Sequence, residues 1–135
     1  LIEKKRELSS MLVRALLNVS AFATNFGSEV YFALQPALGA GSRELSSEEV
    51  DILDLAIMLN PEHLHNIKFR TQNWQWLTSA IASACTQTGI QFIDCHRAFE
   101  SPENDGKWLF VDSSHLTDAG NEIVANTIYG ALYND

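Results

Sequence analysis

Apolar residues recur at helical spacing in four parts of this chain. Between Leu8 and Phe22 they are separated by steps of three and four residues, which places them on one face of an α-helix. Ser46 precedes Glu49 by three residues, a capping-box pattern that opens a helix. Thr117 or Asp118 is suited to cap the last helix. The predicted helices cover residues 8–22, 46–60, 71–88 and 117–133.

Two short, unbroken apolar runs predict β-strands between these helices. They are Val30–Leu34 and Ile90–Asp94, and such runs are typical of strands buried on both faces of a parallel sheet. Trp108–Val111 is predicted to be a third extended segment. Strands that alternate with helices favour an α/β fold with helices on both faces of the sheet. Two strands alone would leave both sheet edges unpaired, so we expect partner strands from outside this chain.

Composition and charge narrow the class of protein. The chain has 135 residues, 46% of them hydrophobic, and a net charge of -8. These totals suit one globular domain, and the acidity argues against a nucleic-acid partner or an anionic membrane surface. No apolar run reaches the roughly 18 residues that predict a membrane span. The two cysteines, Cys85 and Cys95, allow one disulfide, which their spacing cannot establish, and we expect them instead to be buried free thiols.

Candidate chemistry lies near the C-terminus, where Asp112 precedes His115 by three residues. A serine hydroxyl is a poor nucleophile until a base removes its proton, and an imidazole can do so at neutral pH. An aspartate on the other ring nitrogen fixes the tautomer and stabilises the imidazolium. A tight turn would let both side chains face one point. The spacing therefore suits the acid and the base of a Ser-His-Asp hydrolase.

The flanks of this pair carry a family resemblance. Residues 111–121 read V-D-x-x-H-L-T-x-x-G-N before an apolar-faced helix, and this closely resembles the last conserved block of the SGNH/GDSL hydrolases. Upstream, residues 31–36 and 90–94 look like the fourth and fifth strands of that family. The resemblance covers most of the chain, and only the last block is specific.

The resemblance implies a fold, a site and an activity. The fold would be α/β, the C-terminal half of a flavodoxin-like three-layer α/β/α parallel-sheet fold, with residues 1–135 forming a single partial domain. Asp112 and His115 would belong to the catalytic triad of a serine hydrolase acting on acyl or acetyl esters. No metal and no organic cofactor would be required. Gln35, which ends the first strand on the expected ligand side, is a candidate substrate contact.

The chain departs from the family pattern where the nucleophile should be. It contains no Gly-Asp-Ser, no Gly-x-Asn-Asp and no Gly-x-Ser-x-Gly. Ser113 and Ser114 are too close in sequence to His115 to present a hydroxyl to the far nitrogen of its ring, and Ser42 is a weak candidate. We therefore expect the N-terminal half of the same protein to supply the serine and the oxyanion hole. The alternative is a non-catalytic α/β binding or assembly module of the same fold.

Overall fold

The structure, a computed structural model, describes residues 2–133. The predicted domain, residues 1–135, includes a few terminal residues that lie outside this range. Helices dominate, at 66% of the structure. The helices and strands are α1 (Ile2–Asn25), β1 (Tyr31–Leu34), α2 (Ser47–Leu59), α3 (Glu62–Thr88), β2 (Gln91–Asp94), α4 (Cys95–Phe99), a 3-10 turn (Pro102–Asn104) and α5 (Asp118–Tyr133).

The predicted flavodoxin-like three-layer parallel-sheet fold is wrong for the part of the chain described. The sheet there consists of β1 and β2 alone, two parallel strands of four residues each. Both strands lie where the apolar runs placed them. The error was to extrapolate from two strands to a layered α/β sheet, and it applies equally to the α/β binding module considered as an alternative.

The third predicted extended segment explains part of this difference. Trp108–Val111 does not join the sheet; its only ladder contact is an antiparallel bridge between Phe110 and Leu116. The backbone N–H groups of Leu109 and Phe110 donate to the carboxylate of Glu49 instead, at 2.9 and 3.2 Å. A side chain from α2 thus occupies the donors that a neighbouring strand would need.

The helix predictions succeeded where capping signals were local. Both halves of the predicted capping box are present, since Glu49 N–H donates to Ser46 Oγ and Ser46 N–H donates to the Glu49 carboxylate. Thr117 caps α5 through its hydroxyl, which accepts from Gly120 N–H at 3.2 Å. The start predicted for α3 was wrong by nine residues, because the helix begins at Glu62, directly after Pro61.

The chain divides into two compact units. One comprises the chain up to Ala33 together with Trp76–Ile93, and therefore contains α1, the second half of α3 and most of the two strands. Leu16, on α1, and Cys85, on α3, are both buried in it. Ser20 Oγ donates to the carbonyl oxygen of Thr88 at 3.2 Å, which ties α1 to the end of α3.

The second unit comprises Leu34–Gln75 together with the chain from Asp94, and it contains the candidate dyad. Its core is a cluster of four fully buried side chains, against which parts of α2 and α5 pack. The cluster consists of Leu38, Phe99, Leu109 and Phe110. The rings of Phe99 and Phe110 lie 5.5 Å apart, centroid to centroid. The segment that leads into the Asp-x-x-His turn is therefore anchored by its own buried side chains.

Candidate functional site

A short hairpin-like turn presents Asp112 and His115. The Phe110–Leu116 bridge closes its base, and Val111 N–H donates to the carbonyl oxygen of His115 at 3.0 Å. The buried Phe110 ring holds one arm in the core, and α5 begins two residues after Leu116. The turn is thus fixed at both ends by ordered structure.

Two donors from the segment after β1 hold the turn from outside. The side-chain amide of Gln35 donates to the carbonyl oxygen of Ser114 at 2.6 Å, and Leu38 N–H donates to that of Ser113 at 3.3 Å. These bonds satisfy carbonyl groups that a tight turn would otherwise leave to solvent. They also link the turn to residues about 75 positions earlier in the chain.

Asp112 accepts three short hydrogen bonds within the turn. Its Oδ1 accepts from the backbone N–H groups of Ser114, at 2.8 Å, and His115, at 2.7 Å. Its Oδ2 lies 2.6 Å from Nδ1 of the His115 ring. These contacts, led by the two backbone donors, lower the pKa of Asp112 from 3.8 to about 2. The carboxylate is therefore ionised at neutral pH.

The ionised carboxylate determines the tautomer of His115. A carboxylate can only accept, so when the ring is neutral Nδ1 carries the proton and Nε2 carries the lone pair. The His115 side chain is 77% exposed, and that of Asp112 is 51% exposed. Within residues 2–133, no hydrogen-bonding group occupies Nε2. The arrangement thus presents a basic nitrogen to whatever approaches the turn.

No hydroxyl in the described chain completes the apparatus. Ser114 Oγ donates to the acid, Asp112 Oδ1, at 3.4 Å, and makes no bond with the imidazole. Ser42 bonds elsewhere: both its N–H and its hydroxyl contact the Glu100 carboxylate, at 2.9 and 3.4 Å. Neither Ser114 nor Ser42 therefore bonds to His115 Nε2.

Gln35 has a role that the sequence did not suggest. Its side chain is exposed, and its amide nitrogen anchors the Ser114 carbonyl oxygen. This contact positions the turn. A substrate contact through the remaining amide oxygen of Gln35 stays a prediction.

Glu49 is the important residue that sequence reasoning missed at this site. The capping box was predicted, but the reach of this carboxylate to Leu109 and Phe110 was not. Glu49 is fully buried, and its other oxygen pairs with the Arg43 guanidinium at 2.6 Å. The sequence offers one weak signal that Glu49 is buried. It is followed by the apolar residues Val50 and Ile52–Leu53, in a helix that has few other polar residues suited to burial.

Gly120, in the first turn of α5, permits the close approach that frames the site. A Cβ at this position would collide with the carbonyl oxygen of Leu109 and lie 3.1 Å from the Leu116 side chain. Leu109 also accepts from Thr117 N–H at 2.9 Å. The glycine of the block therefore has a packing role, which is to let α5 start against the segment before the turn.

Other kinds of site find little support in the described residues. Across residues 2–133, no group of three or more His, Cys, Asp or Glu side chains is placed to hold a metal ion. None of the helices in that range is both long enough and apolar enough to cross a membrane. Cys85 and Cys95 are buried free thiols, as predicted.

Comparison with known proteins adds no assignment. No protein-family model matches the chain, and no curated protein matches it. Support for a function therefore comes from the geometry of the turn and from the residue pattern within it.

Proposed function

We propose that this chain carries the general base and the orienting acid of an SGNH-like serine ester hydrolase. The observation that supports the proposal is the 2.6 Å contact between Asp112 Oδ2 and His115 Nδ1, with Nε2 exposed and carrying the lone pair. This is the relation between acid and base in a Ser-His-Asp triad.

The proposed chemistry assigns one task to each side chain. His115 Nε2 accepts the serine proton while the serine oxygen attacks the ester carbonyl carbon, and the resulting imidazolium is stabilised by Asp112. His115 then returns that proton to the departing alcohol, which leaves an acyl-serine. In the second half-reaction His115 takes a proton from water, the hydroxide oxygen attacks the acyl carbon, and the proton goes back to the serine.

The serine and the oxyanion hole would come from the N-terminal half of the same protein. The hydroxyls of Ser114 and Ser42 bond to other partners, Asp112 and Glu100. The fixed turn would let an incoming serine meet a preoriented imidazole, so little reorganisation would be needed. The partners proposed are therefore an acyl or acetyl ester and that N-terminal segment.

Labelling with a serine-reactive fluorophosphonate tests this proposal. We expect the 135-residue chain alone to take no label and the full-length gene product to be labelled on one serine outside these residues. His115→Ala in the full-length protein should reduce labelling and ester turnover by several powers of ten, as loss of a triad member does elsewhere. His65→Ala, at another exposed histidine, is the matched control and should leave both unchanged.

Two results would contradict the proposal. Labelling of the isolated chain on Ser42, Ser113 or Ser114 would show that no second segment is needed. A full-length protein that takes no label and cleaves no ester would favour the binding or assembly module, in which Asp112 and His115 only shape the turn.

A further inference from the structure

A groove of about 380 Å³ runs beside the turn that carries the dyad. Its walls are one face of α2 with the residues just after it, and the turn itself. The lining residues are Ile52, Leu55, Ala56, Leu59, Asn60, His63 and Val111–Ser114. Asp112 thus belongs both to the groove and to the dyad, so a molecule held there lies next to the reactive turn.

This groove, hereafter the α2 groove, has an aliphatic wall along α2. Leu55 and Leu59 are 52% and 74% exposed, although leucine is most often buried. The helix is anchored by Ile52 and Leu53, which pack against the core cluster of the unit, and Ile52 also lines the groove. The exposed leucines are therefore not needed to hold α2 in place, and they are free to contact a ligand.

The polar groups of the groove limit the kind of ligand. The Asp112 carboxylate is ionised at neutral pH, because its pKa is lowered to about 2 by the hydrogen bonds that it accepts. It would repel a carboxylate or a phosphate placed beside it. Ser113, Ser114 and Asn60 add small polar groups, His63 adds an imidazole, and aliphatic side chains supply the rest of the lining. An aliphatic group without negative charge fits this combination.

We propose that the α2 groove binds the aliphatic acyl chain of a neutral ester substrate, longer than acetyl. The inference rests on the proposed hydrolase function, because it is the dyad that makes an ester the relevant ligand. The volume falls within the roughly 300–1,000 Å³ of small-molecule sites, and an acetyl group would leave most of it empty. An acyl chain would instead remove the exposed faces of Leu55 and Leu59 from water.

Binding is measured first, without turnover, in the full-length His115→Ala protein. Methyl octanoate and methyl acetate are titrated while the backbone amide resonances of α2 are followed by NMR. We expect octanoate to shift the amides around Leu55 and Ala56 at saturable concentrations, and acetate to shift them weakly. Leu55→Lys and, independently, Leu59→Lys should abolish saturation. Met58→Lys is the matched control, since Met58 is 71% exposed on the same helix but does not line the groove.

Turnover is measured second, in the full-length protein with His115 intact. The kcat/KM for p-nitrophenyl esters should rise about fourfold per methylene from acetate to hexanoate, since burying one methylene is worth ~0.8 kcal/mol. Leu55→Lys should flatten this dependence. Met58→Lys should preserve it. Circular dichroism of each variant checks that α2 remains folded.

The two measurements separate failure of the groove from failure of the function. Saturable octanoate binding with no hydrolysis of any ester would support acyl-chain binding in the α2 groove and contradict the proposed hydrolase function. Hydrolysis that is independent of chain length, with α2 amide resonances that octanoate does not shift, would contradict acyl-chain binding in the groove and support the hydrolase function. If a polypeptide segment covers α2, octanoate would likewise leave the α2 amide resonances unshifted. That result equally overturns the acyl-chain proposal.

Discussion

Two carboxylates, Glu49 and Asp112, make similar sets of hydrogen bonds in very different surroundings. The Glu49 side chain is fully buried, whereas that of Asp112 is 51% exposed. Glu49 accepts from Arg43, Ser46 and two backbone N–H groups of the segment before the turn. Asp112 accepts from two backbone N–H groups and an imidazole. The donors to Glu49 all serve to hold the fold together. One donor to Asp112, the His115 imidazole, has a second nitrogen that is open to solvent.

On the proposed function, Glu49 would support the fold and Asp112 would take part in the chemistry. A buried charge that loses its partner is costly, so Glu49 and Arg43 fix α2 against the Leu109–Phe110 segment. An exposed carboxylate contributes little to stability, so on the proposed function Asp112 would act by orienting His115. Glu49 would therefore build the platform on which Asp112 acts.

Asp112→Asn should have the largest effect, and on activity. An amide in place of the carboxylate can hold the ring in the wrong tautomer, and such a change lowers turnover by about 10⁴-fold in a serine protease. We expect a loss of that order in ester hydrolysis by the full-length protein, with little change in its urea midpoint. Asp54→Asn, at an exposed carboxylate on α2, is the control. Near-normal turnover of Asp112→Asn would contradict the orienting role.

Glu49→Ala should have the second largest effect, and on stability. It leaves the Arg43 guanidinium, whose side chain is 4% exposed, without its carboxylate, and it orphans the N–H groups of Leu109 and Phe110. Removing one partner of a buried pair costs about 3–5 kcal/mol. The free energy of unfolding, measured by urea denaturation, should fall by that order.

The neighbouring residue provides the control for this change. Glu48→Ala removes an exposed carboxylate from the same first turn of α2, so its unfolding midpoint should move far less. A double variant, Arg43→Met with Glu49→Met, removes both charges together and should recover part of the lost stability. Equal effects of Glu48→Ala and Glu49→Ala would show that burial of Glu49 carries no special weight.

The same contrast explains how much of the site the sequence could predict. Asp112 and His115 are three residues apart, so a local turn is enough to bring them together, and their pairing was foreseen. Glu49 contacts Leu109 across 60 positions, and no local pattern encodes that distance. The contact of Gln35 with Ser114 spans 79 positions and was missed for the same reason. Chemistry held by neighbours in sequence was predictable, and its support from distant segments was not.

Prediction of the fold had the same limit, since local features were foreseen and long-range pairing was not. Ser46 and Thr117 were predicted as helix caps because capping depends on the next three residues. Both strands were placed within one residue, because apolar runs between turn residues are also local. The number of strands in a sheet depends on which segments pair, and at Leu109–Phe110 a glutamate side chain took the donors. A local pattern could not reveal that competition.

The smallest expected effect is the contribution of Asp112 to acid stability. Its pKa is lowered from 3.8 in the free group to about 2 by the donors of the turn, so the folded state holds the charged form more strongly than the unfolded state does. That contribution is fully present above about pH 4 and is lost as the pH falls toward 2. Because half of the side chain is exposed, we expect less than ~1 kcal/mol. Urea midpoints of the wild type and of Asp112→Asn, compared at about pH 5 and about pH 2.5, should converge on acidification. A gap of several kcal/mol at pH 5 would place Asp112 with Glu49 as a structural carboxylate and would end the distinction between them.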